Sequence, residues 1–231
     1  ITACCGSTEA MLSTVLGTLD PGDEIIIFEP YYENYWPDSI LCGAVARFVS
    51  LKLEEDGWHL DREALEEAFN SKTGAVIVNT PNNPTGMVFS IQELEFISGL
   101  CKKHNALLIS DEIYNHIIYD GNKHIPPATL PGMKDRVVTI NALSKTFSVT
   151  GWRVGWACAP EEITNAIRKV HDFATVGAPH PFQEAGAKAL RFEDDYFNHL
   201  GPFYQERRDM LLEILRDCGF KPVSPGGAYY I

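Results

Sequence analysis

The stretch NALSKTFSVTGWRVGWACAP, from Asn141 to Pro160, contains one lysine, Lys145, and one arginine, Arg153, with no carboxylate between them. A lysine amine attacks carbonyls and accepts protons when it spends part of its time neutral, a state that neighbouring cations favour. An arginine offers a planar fork that grips a phosphate through two hydrogen bonds. Other polar residues close apolar runs: Asn79 ends GAVIVN, Asp111 ends ALLISD and Asn141 ends RVVTIN. Near the N-terminus, Gly6-Ser7-Thr8 opens an apolar-periodic segment. The start of such a helix presents free N–H groups and positive dipole to a phosphate, and Thr8 adds a hydroxyl. A lysine near a phosphate site, with an acid ending another apolar run, fits a carbonyl cofactor held as a Schiff base. The carboxylate would keep a pyridine nitrogen protonated so that the ring accepts electrons. Pyridoxal 5′-phosphate meets that description.

The elements that must position these residues alternate between strand and helix patterns. Residues 7–19 have helical spacing and stop at the turn DPGD. Apolar runs at 24–28, 44–51, 74–79, 106–111, 136–141 and 152–158 read as strands. Residues 61–69 read as a helix capped by Asp61, and Ser90 with Glu93 forms a capping-box pattern before a helix to about His104. Near-continuous apolar strands separated by helices predict a three-layer α/β/α fold with a mostly parallel sheet. In such a sheet, ligands sit beyond the carboxyl ends of the strands, where Asn79, Asp111 and Asn141 fall. From about residue 160 the pattern turns helical and ends in a long amphipathic stretch over 195–218. The expected division is a large domain over residues 1–192 and the start of a smaller one over 193–231.

The bulk numbers exclude other classes. With 19 Lys and Arg against 31 Asp and Glu, the net charge is −12. That balance argues against nucleic acid and against an anionic membrane surface as partners, and leaves any anionic ligand to local groups. No apolar run reaches membrane-span length. The six cysteines form no CxxC pair and no Cys/His cluster of zinc spacing, which predicts reduced thiols, no metal site and a cytoplasmic location.

Five blocks carry a family resemblance: GSTEA (6–10), DPGDEIIIFEPYYENY (20–35), NTPNNPTG (79–86), SDEIY (110–114) and SKTFSVTGWRVGW (144–156). In order and spacing the chain resembles the class I/II aminotransferases, the fold-type I pyridoxal-phosphate-dependent enzymes. The resemblance implies the fold-type I large domain and pyridoxal 5′-phosphate as cofactor. It implies transfer of an amino group from an L-amino acid to a 2-oxo acid, and a homodimer with shared active sites. Position by position, it implies that Lys145 forms the Schiff base and then serves as the base. Asp111 would pair with the pyridine nitrogen. Tyr114 and Asn83 would bond the ring 3-oxygen, and Tyr32 would stack on the ring. Ser7, Thr8 and Arg153 would hold the phosphate, with Ser144 as a further contact.

There are departures. Many members have a phosphate-binding serine three residues before the lysine, where this chain has Ala142. The family's arginine for the substrate carboxylate and its N-terminal closing segment have no counterpart here. The chain, which starts at Ile1 and ends on GGAYYI, therefore reads as a central fragment. Structural readings compete at several positions. Lys145 could lie on the surface, Arg153 could pair with an acid, and Asp111 could cap a helix with Glu112 pointing inward instead. Tyr31 or Tyr35 could take the place of Tyr32, and any of the three could belong to the core. Asn79 reads as structural, NNPTG also reads as a turn, and Ser144 could be only a cap. The seven histidines read as ordinary. On the same scaffold, a β-lyase or an enzyme acting on S-adenosylmethionine would use the same lysine. A non-catalytic cofactor-binding regulator, or a nucleotide binder, is the reading outside this chemistry. The absence of GxGxxG and Walker A patterns disfavours the nucleotide binder.

Overall fold

The computed structural model describes residues 1–231. Its central sheet has seven strands: β1 (Thr2–Cys4), β2 (Glu24–Glu29), β3 (Val45–Ser50), β6 (Thr73–Asn79), β7 (Leu107–Asp111), β8 (Val137–Ala142) and β9 (Gly155–Cys158). A two-stranded hairpin, β4 (Lys52–Glu54) and β5 (Gly57–His59), stands apart. The sheet order is β1-β9-β8-β7-β6-β2-β3. From β8 through β3 every pairing is parallel, whereas β9 is antiparallel to both β8 and β1. Only β9 therefore runs against the rest.

Side chains leave a strand alternately to its two faces, and the core divides accordingly. Ile25, Ile27, Ala75 and Ile77 join a cluster on one face with Met11 and Val15 of α1 (Gly6–Thr18), Tyr35 and Cys42 of α2 (Tyr35–Cys42) and Ile167 of α6 (Glu161–Ala174). Ile26, Phe28, Val76 and Val78 pack on the other face with Leu65 of α3 (Arg62–Ala68) and Leu94 and Ile97 of α4 (Ile91–His104). Both faces are covered, which is why these strands read as unbroken apolar runs.

The helix signals act where expected. Asp61 Oδ1 accepts from the Ala64 N–H at 3.2 Å, and the Ser90–Glu93 capping box is closed in both directions. The expected strand over 152–158 is shorter. Residues Thr150–Trp152 form a 3₁₀ turn and Arg153 takes a left-handed conformation (φ 51°), so β9 begins only at Gly155.

Downstream lie α5 (Leu143–Thr146), α7 (His180–Ala189) and the 24-residue α8 (Asp194–Asp217). The α8 helix lies against the sheet unit. Tyr196 stacks on Phe147 at 5.4 Å and donates its hydroxyl to the Thr146 carbonyl, while Arg208 pairs with Asp120 and donates to the Pro225 carbonyl. All six cysteines are free, and no helix is long and apolar enough to cross a membrane.

Candidate functional site

The C-terminal ends of the parallel strands open onto one pocket. It is lined by Ser7, Thr8, Tyr32, Asn83, Asp111, Tyr114, Ser144, Lys145 and Arg153, which are all nine of the residues expected at a cofactor site. The fold brings them from separate regions of the chain. The first turn of α1 places Ser7 and Thr8, the end of β7 places Asp111, and α5 places Ser144 and Lys145 just beyond β8. The 3₁₀ turn before β9 places Arg153. Asn79, Tyr35, Ile113, Thr150 and Tyr230 also line the pocket.

The competing structural readings resolve in the geometry. Neither Lys145 nor Arg153 takes part in an ion pair. Arg153 donates to the carbonyls of Thr150 (3.0 Å) and Cys5 (3.4 Å), which aims the guanidinium across the start of α1. Lys145 Nζ lies 5.8 Å from the centre of the Tyr114 ring and 5.4 Å from that of Tyr229. Asp111 lines the pocket, whereas Glu112 turns away from it, 2.8 Å from His124 Nε2, and accepts from the Ser110 hydroxyl. Asn79 acts as a buttress. Its Nδ2 donates to the Asp111 carbonyl (3.0 Å) and its Oδ1 accepts from the Asn83 N–H (2.6 Å).

Of the three tyrosines, Tyr31 stacks on Phe48 and Tyr32 lines the pocket. Tyr35 belongs to the core, as its competing reading held, yet its hydroxyl donates to Asp111 Oδ2 at 2.8 Å. The sequence signal for this contact was weak: Tyr35 lies one helical turn beyond Tyr32, and Asp111 is 76 positions away. Tyr230, whose hydroxyl is 2.7 Å from that of Tyr114, and Thr150, whose hydroxyl donates to the Ser144 carbonyl, were also not singled out.

Burial holds Asp111 well above the usual carboxylate range, at about 6, against the opposing hydrogen bonds from Tyr35 and the Ile113 N–H. A cation against its free edge would restore the charge. At the other end of the pocket, Cys5 caps α1 without a side-chain hydrogen bond, so the first N–H groups of the helix have no side-chain cap. Gly6 has φ 83°, and any Cβ there would run into the Arg153 guanidinium. A buried acid, a free amine and an anion cradle in one pocket match the ring nitrogen, aldehyde and phosphate of pyridoxal 5′-phosphate, so the residues present fit this group.

The comparisons with known proteins agree with this geometry. The profile of the class I and II aminotransferases matches residues 1–231, and the chain belongs to that family, whose members depend on pyridoxal phosphate. It is 39% identical over 243 residues to a kynurenine–oxoglutarate transaminase of Dictyostelium discoideum, covering 98% of this chain and 56% of that protein. The solved structure of N-succinyldiaminopimelate aminotransferase from Mycobacterium tuberculosis superposes with a TM-score of 0.96 at 37% identity, covering 98% of this chain and 59% of that one. An Escherichia coli protein with a methionine aminotransferase function superposes at 0.93 and 31% identity, covering 99% and 60%. The chain thus spans about half the length of the curated relatives it matches.

Proposed function

We propose that this chain is the cofactor-binding core of an aminotransferase that moves an amino group from an L-amino acid to a 2-oxo acid. The observation that carries this reading is the meeting of an unpaired Lys145, an unpaired Arg153 and a buried Asp111 in one pocket. When bound, pyridoxal 5′-phosphate supplies a carbonyl that condenses with amines and a protonated ring that accepts electrons.

The residues of the chain bind, orient and move protons. Ser7, Thr8, the open N–H groups of α1 and the Arg153 fork hold the phosphate. Asp111 keeps the proton on the ring nitrogen, and the Tyr35 hydroxyl fixes the carboxylate that does so. Tyr114 and Asn83 address the ring 3-oxygen, and Tyr32 covers a ring face. Lys145 is the one lysine lining the pocket, and its Nζ takes and returns the proton of the substrate Cα. Ala142 is buried at the end of β8 and offers no hydroxyl. Thr150 also lines the pocket, with its hydroxyl donated to the Ser144 carbonyl.

The proposal includes a homodimer with shared sites and a cytoplasmic location. Family resemblance supports the first, and six free cysteines are in keeping with the second. The names of the relatives point to different amino donors, so the donor must be found by trial. The test is the visible spectrum of the protein with pyridoxal phosphate, recorded against a panel of L-amino acids beside a Lys145→Ala control. A band that needs Lys145, bleaches with particular amino acids and returns with a 2-oxo acid is the expected result. Release of pyruvate and ammonia without recovery would turn the reading to a lyase. Absence of any Lys145-dependent band would refute the cofactor assignment.

A further inference from the structure

Behind the phosphate cradle lies a buried carboxylate–imidazole pair that none of the roles above uses. Glu9 sits in the first turn of α1, and His171 lies 162 positions later in the last turn of α6. Their side chains are each 8% exposed. Glu9 Oε2 accepts from the Cys5 N–H at 2.7 Å, and Oε1 accepts from the Ser13 hydroxyl at 2.8 Å. His171 Nδ1 is 3.0 Å from Oε1. An ionised carboxylate has no proton to give, so Nδ1 is the donor toward it. The Thr175 hydroxyl lies 3.4 Å from the same nitrogen. The α6 helix reaches this position because it packs closely on α1: a Cβ on Gly17 would sit 3.0 Å from the Ala166 backbone.

The residue that this pair holds is Cys5, the N-cap of α1, which makes no capping bond through its own side chain. Its N–H is tied to Glu9 and its carbonyl to Arg153. One residue, Cys5, therefore links the buried pair to the arginine and to the uncapped N–H groups of Gly6–Thr8. A cap built this way fixes the entry of the chain into the helix while leaving those N–H groups open to a ligand. An ordinary Ser or Asp cap would occupy them.

We infer that Glu9 and His171 are positioning residues for the phosphate-binding turn, setting affinity for the phosphate group and leaving the proton chemistry at Lys145 untouched. The inference rests on the cofactor reading above. Its test is to titrate the full chain with pyridoxal 5′-phosphate and with pyridoxal, which lacks the phosphate. Inorganic phosphate serves as competitor against the former.

His171→Ala is expected to weaken pyridoxal 5′-phosphate and inorganic phosphate by about tenfold, the scale of one charge-assisted hydrogen bond. Pyridoxal affinity stays at the wild-type value. Glu9→Gln keeps the size of the side chain but cannot accept on both ends, so a loss of several-fold is expected for the phosphate-bearing ligands alone. It decides the matter where His171→Ala does not fold. His171→Asn, which retains a donor, is expected to recover most of the affinity. Equal weakening of pyridoxal, or wild-type binding by His171→Ala and Glu9→Gln, would overturn the inference while leaving the cofactor reading intact. A wild-type chain that binds neither phosphate-bearing ligand would overturn both.

Discussion

At the scale of single residues, Asp111 carries an electrostatic cost in the cofactor-free protein. Burial raises its folded-state pKa to about 6, so between the ordinary aspartate range and about pH 6 the native state binds more protons than the unfolded chain. Stability from this group is therefore full below the ordinary aspartate value and is lost as pH rises through about 6. The loss amounts to about 3 kcal/mol at the conversion of 1.36 kcal/mol per pKa unit. Urea unfolding of the cofactor-free protein across that window should show a fall in stability that Asp111→Asn lacks. Bound pyridoxal phosphate should flatten the wild-type slope, because a ring cation keeps the carboxylate ionised in the native state. Tyr35→Phe removes the hydroxyl that restrains Asp111, and a loss of about tenfold in cofactor affinity is expected, measured by equilibrium titration. Tyr35 also marks the limit of reading by type and spacing. Its burial was foreseen as a competing possibility, but the partner of its hydroxyl is set by tertiary packing.

At the scale of elements, the site depends on how closely β9 approaches the start of α1. A Cβ on Gly155 would lie 2.5 Å from the Gly6 carbonyl carbon, 2.6 Å from the Ser7 nitrogen and 2.9 Å from the Asn141 oxygen. All three are backbone atoms and cannot rotate away. Gly155→Ala should therefore lower the unfolding temperature and abolish cofactor binding together. Gly99 is the contrasting case, exposed within α4 with open space around it. Gly99→Ala should raise stability by about 0.5–1 kcal/mol in chemical denaturation, with cofactor affinity unchanged. On α2, burial alone pushes Asp38 up to about 7, and its Oδ2 has no partner. Asp38→Asn should raise the thermal midpoint at pH 8, where the buried acid must ionise. The gain should shrink toward pH 5, where the native acid is already protonated. The α2 helix was not foreseen as an element because it is only eight residues long and has Pro37 in its first turn. A proline is tolerated there but reads as a breaker. The three-residue β1 is shorter than any period-2 pattern can register.

At the scale of the molecule, legibility followed the range of the interactions. The parallel strands were readable because each is buried on both faces, and the site lysine and arginine because they share one short segment. The antiparallel direction of β9 was not readable, since it rests on pairing with both β8 and β1, the latter about 150 positions earlier in the chain. The tie between Glu9 and His171 was hidden for the same reason. The net charge of −12 belongs to the surface and left no trace in the pocket, where the two unpaired cations sit.

The pocket has walls from α1, the loop after β6, the end of β7, the start of α5 and the turn before β9. A ligand that grips all of them works as a clasp across the sheet edge. Occupancy and folding then become one equilibrium measured from two sides. At a free ligand concentration of about a hundred times Kd, the clasp adds about 2.7 kcal/mol to the stability of the fold.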